Sequence, residues 1–197
     1  MSDIRLKRVM SDIKDFQKEE THGIFLTDPD VSDLSCVLVS FWGLEGTEFE
    51  GGTFDLKIEI PDKFPFKNPQ MFFKTRVWHP NVCQLSGRIC MDLLDRNWHS
   101  GIVLKECVEA ARCLLSLPNP DSPLNAEAAN LLEHNEALYW SNARAWTRVH
   151  AGAASLTSDL DENISVLMSF DMTAEEALDR GVEHEWDMVS IVKTYDL

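Results

Sequence analysis

The sequence predicts an α+β domain, and three observations carry the prediction. Residues 3–18 repeat apolar side chains at helical spacing (Leu6, Val9, Met10, Ile13, Phe16). Residues 23–77 instead hold short β-rich runs separated by turn residues. From Ile102 onward the helical period returns. Strands grouped together and helices grouped around them predict an antiparallel sheet with helices on one face, the other face being free to stay wet.

The first helix has Ser2 or Asp3 to cap it, and Arg5, Lys7, Arg8 and Lys14 give it a basic set in an acidic chain. Four strands are expected: Gly23–Leu26, Ser35–Trp42, Thr53–Ile60 and Met71–Val77. The third alternates most cleanly, with Phe54, Leu56, Ile58 and Ile60 on one side. Gly43, Gly46, Gly51-Gly52 and Pro61 punctuate the connections, which suits a four-stranded meander. Phe64 to Pro69 reads as a rigid loop bearing two exposed-looking aromatics, Phe64 and Phe66, of a kind that commonly just plugs the core edge. Helices follow at Ile102–Leu117, Ala126–Glu133 and Glu136–His150, the last facing the core with Trp140, Ala143 and Trp146. His134 and His150 read as surface or packing residues, not ligands.

With 197 residues the chain suffices for one domain of about 150 residues and a small appendage. We divide it into a core over 1–152, a small polar linker over 153–160 and a tail over 161–197. The net charge of -15 argues against nucleic acid as a partner, since phosphate binding needs a basic surface. Most of that charge lies after Ser155, where eleven acids face only Arg180 and Lys193. Such a run is a solvated face or a means of selecting basic partners. The tail has room for three short helices, marked by Ile164/Leu167/Met168, by Ala177/Leu178/Val182 and by Trp186/Met188/Val189/Val192. Thr173-Ala174-Glu175-Glu176 is a capping-box pattern for the second.

The five cysteines are odd in number and form no Cys-x-x-Cys pair, which disfavours a disulfide framework or a zinc site, so no metal is expected. No apolar run approaches membrane-spanning length. A reducing compartment, cytoplasm or nucleus, is the expectation.

The chemistry concentrates between His79 and Trp98. Cys90 is a nucleophile once ionised and a good acyl carrier. Asn81 carries an amide able to donate to an oxyanion. His79-Pro80 fixes a turn, because proline locks its own φ and restricts its predecessor. No His is placed as a base for Cys90, so a Cys-His protease fits poorly.

These residues resemble the active site of ubiquitin-conjugating enzymes. The carriers are His79-Pro80-Asn81, Gly87-Arg88-Ile89-Cys90-Met91-Asp92 and Trp98, joined by Phe49-Glu50-Gly51-Gly52 and by Phe64-Pro65-Phe66-Lys67-Asn68-Pro69. The resemblance covers about residues 1–152. It implies that an activating enzyme spends ATP to load ubiquitin as a thioester on Cys90, from which a lysine of a substrate or of ubiquitin takes it. Partners would be ubiquitin, the activating enzyme, ligases and protein substrates, with no bound cofactor. It implies that Asn81 stabilises the oxyanion or holds the loop, that His79 is structural, and that Asp121, with Ser122, tends the incoming lysine. Many relatives have an acid at Ser122, and in some a phosphorylatable Ser restores the charge; an ordinary turn residue is the other reading. Phe66 would sit on the ligase-docking surface, although His99-Ser100-Gly101 replaces the usual Ser-Pro-Ala there. Arg5, Lys7 and Arg8 would dock the activating enzyme, with a solvated face as the alternative. Glu109 stands where a donor-clamping Leu is usual. The tail resembles a ubiquitin-associated domain, but Met168-Ser169-Phe170 replaces Met-Gly-Phe and Thr194-Tyr195 a leucine pair. Two rival readings remain: a conjugating enzyme for a ubiquitin-like modifier, and a non-catalytic ubiquitin-binding scaffold.

Overall fold

A computed structural model describes residues 3–18, 23–27, 33–90, 97–153, 159–170, 172–184, 186–188, 191 and 194. Helix α1 (Asp3–Lys18) leads into four strands, β1 (Ile24–Leu26), β2 (Cys36–Trp42), β3 (Thr53–Glu59) and β4 (Gln70–Phe73). They pair antiparallel in sequence order, the expected meander. Then come α2 (Leu104–Ser116), α3 (Ala126–His134), α4 (Glu136–Ala151), α5 (Asp159–Met168) and α6 (Ala174–Glu183).

Strand alternation decides which face is buried. Phe54, Leu56 and Ile58 of β3 point inward with Val37, Val39 and Phe41 of β2. Val9, Ile13 and Phe16 of α1 and Leu104, Val108, Ala111 and Leu115 of α2 complete this core. Phe41, Phe54 and Phe73 meet at ring separations of 5.6–6.3 Å, geometry that adds to burial alone.

Several expectations are corrected. β4 stops at Phe73, not Val77: Lys74 N–H still donates to Asp55 O (2.8 Å), but Asp55 N–H donates to the Thr75 hydroxyl (2.9 Å) instead of returning the ladder bond. A side chain there replaces the backbone ladder. Of the two loop aromatics, Phe64 plugs the core edge as that reading expects, buried beside Trp98 (6.1 Å), while Phe66 points outward. Met10 is exposed although it fits the helical period. Arg5 is not a surface cation: it is 2% exposed and donates to Ile60 O (2.9 Å), tying α1 to the end of β3. Asp3 is already the first residue of α1, and Ser2, the other cap candidate, lies outside the described residues.

The tail differs most from expectation. Its first helix begins at Asp159, inside the expected linker, of which 154–158 lie outside the described residues. It shares a second apolar cluster with the core: Ile164, Leu167, Ala177, Leu178, Val182, Trp186 and Ile191 pack with Trp78, Leu131, Tyr139 and Trp146. The Trp186 indole N–H donates to Asn142 Oδ1 on α4 at 2.6 Å. Gly181 makes room for the Trp186 ring, since a Cβ there would lie 2.4 Å from it. The capping box at Thr173 forms as expected. The third helix expected in the tail falls on residues that lie partly outside the described ones. Two of the tail acids, Glu175 and Asp179, are not merely solvated: both pair with Arg76.

Candidate active site

Cys90 is placed by two backbone ladders. On one side Phe73 N–H donates to Gly87 O (2.8 Å) and Ile89 N–H to Met71 O (3.0 Å), so residues 87–89 continue the sheet beyond β4. On the other, Cys83 N–H donates to Arg88 O (2.9 Å) and Cys90 N–H to Asn81 O (2.9 Å). The bridge between Val82 and Ile89 turns both apolar side chains into the core. Alternation then puts Asn81, Cys83, Arg88 and Cys90 on the opposite face. Gly87 closes the turn with φ +70°, and a Cβ there would lie 1.9 Å from Phe73 O. Only glycine fits that close approach.

His79 is fully buried. Its Nε2 lies 3.0 Å from Leu114 O on α2, and its Nδ1 is 3.1 Å from Asn81 N. Asn81 N–H must donate, so Nδ1 accepts and Nε2–H donates: this is the neutral tautomer. Burial pushes the pKa down to about 4, against a smaller upward pull from the α2 carbonyls. At neutral pH His79 is therefore a fixed dipole holding the turn to α2, not a base.

Asn81 is 3% exposed and its amide is used at both ends. Nδ2 donates to Asn119 O (2.7 Å) and Oδ1 accepts from Asn119 N–H (2.8 Å). The second Nδ2 hydrogen is left for another acceptor. Asn119 Oδ1 in turn accepts from Asp121 N–H (3.0 Å), shaping the turn that presents Asp121 and Ser122, both exposed. Pro80 O accepts from Leu124 and Asn125 N–H (2.8 and 3.0 Å), fixing the far end of this loop. The structure thus brings His79, Pro80, Asn81, Asp121 and Ser122 into one loop pair beside half-buried Cys90.

Cys83 is the other thiol of this region. Hydrogen bonds from the Ser86 hydroxyl and from Ser86 and Leu85 N–H lower its pKa. It occupies the turn of the ribbon, while Cys90 lies beyond the ribbon's other strand against Asn81.

The expected docking residues separate. Phe66 is 72% exposed on a loop that Trp98 Nε1–H anchors through Pro65 O (2.9 Å). Arg8 pairs with Asp12 (2.9 Å) and donates to the Ser100 and Ile102 carbonyls, so its charge is spent inside the fold. Of the basic set named for docking, Lys7 is exposed, whereas Arg5 is withdrawn. Glu109 is half-exposed and lies 3.8 Å from Arg112. Asn119 was missed by sequence reasoning, because its two bonds to Asn81 run through its backbone; its only signal is the Asn-Pro-Asp turn, which its side chain shapes. Arg76, Trp78 and Trp146 were missed as neighbours of the site for the same lack of a local signal.

Among the described residues no group of three or more His, Cys, Asp or Glu is arranged to hold a metal ion.

The ubiquitin-conjugating enzyme family profile matches residues 8–147. Ubiquitin-conjugating enzyme E2 27 of Arabidopsis thaliana is 35% identical over 153 residues, 78% of this chain and 80% of that one. Ubiquitin-conjugating enzyme E2 K of Homo sapiens is 31% identical over 181 residues, 88% of this chain and 89% of that one. The solved E2 domain of a Toxoplasma gondii ubiquitin conjugating enzyme superposes with a TM-score of 0.68 at 30% identity, covering 74% of this chain and 98% of that one. With half of the chain and more matched, and with Cys90 seated against Asn81, the conclusion is direct: the chain belongs to the ubiquitin-conjugating enzyme family.

Proposed function

We propose that Cys90 is the residue through which this transferase works. The observation that carries the reading is the seating of Cys90 by the Asn81 carbonyl, with the Asn81 side chain gripping the Asn119 loop alongside. The Cys90 thiolate attacks the ubiquitin thioester on the activating enzyme, and that enzyme's thiolate leaves. A lysine amine then attacks the Cys90 thioester carbonyl. The oxyanion that forms accepts a hydrogen bond from the second Nδ2–H of Asn81; collapse re-forms the carbonyl, breaks the C–S bond and expels the Cys90 thiolate, and the proton lost by the attacking nitrogen goes to solvent or to that thiolate. Asp121 and Ser122, held at the rim by the Asn119 turn, receive the amine. No step requires a bound cofactor, and ATP is spent by the activating enzyme. Positioning supplies a large share of the rate.

The tail is read as a ubiquitin-associated-like unit. Two short helices that pack on each other, the Thr173 capping box, and exposed Met168 at the end of the first with exposed Phe170 after it support this. So does the similarity to E2 K, which extends over 88% of the chain. Phe66 offers the ligase-facing side chain and Lys7 the cation toward the activating enzyme. The described cysteines form no disulfide, and a reducing compartment, cytoplasm or nucleus, is the proposed setting.

The test is to mix the protein with activating enzyme and ATP, offering ubiquitin and ubiquitin-like modifiers separately. A thiol-sensitive adduct with ubiquitin is expected. An adduct with another modifier alone would move the reading to that modifier, and none at all would favour the scaffold.

A further inference from the structure

The tail touches the catalytic loop through a chain of rings. Arg76 on the core pairs with Glu175 and Asp179 (3.7 Å for the latter) of α6. Its guanidinium lies over the Trp146 ring at 4.7 Å. Trp146 packs against Trp78 with centroids 5.5 Å apart. Trp78 is 1% exposed and directly precedes His79. From the far side Trp186 holds Asn142, one helical turn before Trp146 on α4. Tail side chains therefore fix the helix that fixes Trp78, and Trp78 cannot shift without moving the turn that aims His79 and Asn81. Tight packing makes such a displacement a discrete event.

We propose that the tail is a positioning element for the catalytic loop. Docked, it holds Trp78, and through it His79 and Asn81, in the geometry needed for transfer from Cys90. Undocked, it leaves Cys90 able to load but slow to discharge. Arg76, Trp146 and Trp186 are the positioning residues, none of them in contact with the reacting atoms. This rests on the reading of Cys90 as the thioester carrier.

The experiment uses the full chain. Arg76→Glu sets three carboxylates against one another and releases α6; Trp186→Phe removes the donor to Asn142 and the part of the indole that packs on Gly181. Each variant is loaded with ubiquitin, and single-turnover discharge to free lysine is followed across a lysine series, so that no acceptor ubiquitin is involved. Loading should match wild type, which reports a folded core. The maximal discharge rate should fall by about 2- to 30-fold, with the half-saturating lysine concentration unchanged. Adding Glu175→Arg and Asp179→Arg to Arg76→Glu should restore part of the rate, the share carried by the ion pairs, since a carboxylate cannot replace the guanidinium over the Trp146 ring. Discharge at the wild-type rate in both single variants would overturn the proposal, as would a slow rate that the charge swap leaves unrestored. Failure of the wild-type chain to load would strike the Cys90 reading instead.

Discussion

Acidification should cost this protein stability at His79. The ring is neutral in the fold, held by Leu114 O and Asn81 N–H, with a pKa of about 4. Unfolded, it returns to about 6.5. Between those values the unfolded chain binds a proton that the folded chain refuses, so stability is complete above pH 6.5 and falls as the pH drops. Linkage puts the loss at about 2 kcal/mol by pH 5 and about 3 kcal/mol by pH 4. Half-buried His150 also has a lowered pKa, from burial and then Arg76, and adds a loss of the same sign. Urea unfolding at pH 7.5, 6 and 5, for wild type and for His79→Gln, isolates the His79 share. Gln keeps an N–H toward Leu114 O but does not titrate, so the wild type should lose about 2 kcal/mol more than the variant on going to pH 5. Equal losses would refute the reasoning. So would 15N shifts showing an imidazolium for His79 at pH 6 in the folded wild type.

Asn81→Ala removes both bonds to Asn119 and the remaining donor; Cys90 should still load, while discharge to lysine slows by about 100-fold, measured by single-turnover assay. Gly87→Ala forces a Cβ to within 1.9 Å of Phe73 O at a positive φ, and the urea midpoint should shift to a stability loss of about 1–3 kcal/mol. Ser122→Asp lies on the exposed rim and should leave stability within about 0.5 kcal/mol, while modestly speeding discharge to lysine. That gain should shrink as pH rises toward the amine's own pKa of about 10.4, and equal discharge at every pH would make Ser122 a turn residue.

The parts of the fold that were legible in the sequence are those set by local periodicity. Phe54, Leu56 and Ile58 alternate, and Val9, Ile13 and Phe16 recur on one helical face, so β3 and α1 need no distant information. The motif from His79 to Cys90 carried the site for a similar reason, since its turn and its glycine lie within twelve residues. What was misread depends on partners far along the chain. Arg5 looked like a surface charge because its acceptor, Ile60 O, lies 55 residues away. β4 was drawn too long because nothing local shows the Thr75 hydroxyl capping Asp55 N–H. The tail read as a unit on a linker because composition breaks at residue 153, yet its apolar residues find Trp78, Tyr139 and Trp146. Charge alone could not say that Glu175 and Asp179 face Arg76.

The account stands on Cys90 as the acyl carrier, and the choice between Cys90 and Cys83 tests it most directly. Wild type, Cys90→Ser, Cys90→Ala and Cys83→Ser are each incubated with activating enzyme, ATP and ubiquitin, then resolved with and without thiol. The account predicts a thiol-sensitive adduct for wild type and Cys83→Ser, a thiol-resistant oxyester for Cys90→Ser, and no adduct for Cys90→Ala. A thiol-sensitive adduct that persists in Cys90→Ala and disappears in Cys83→Ser would contradict it.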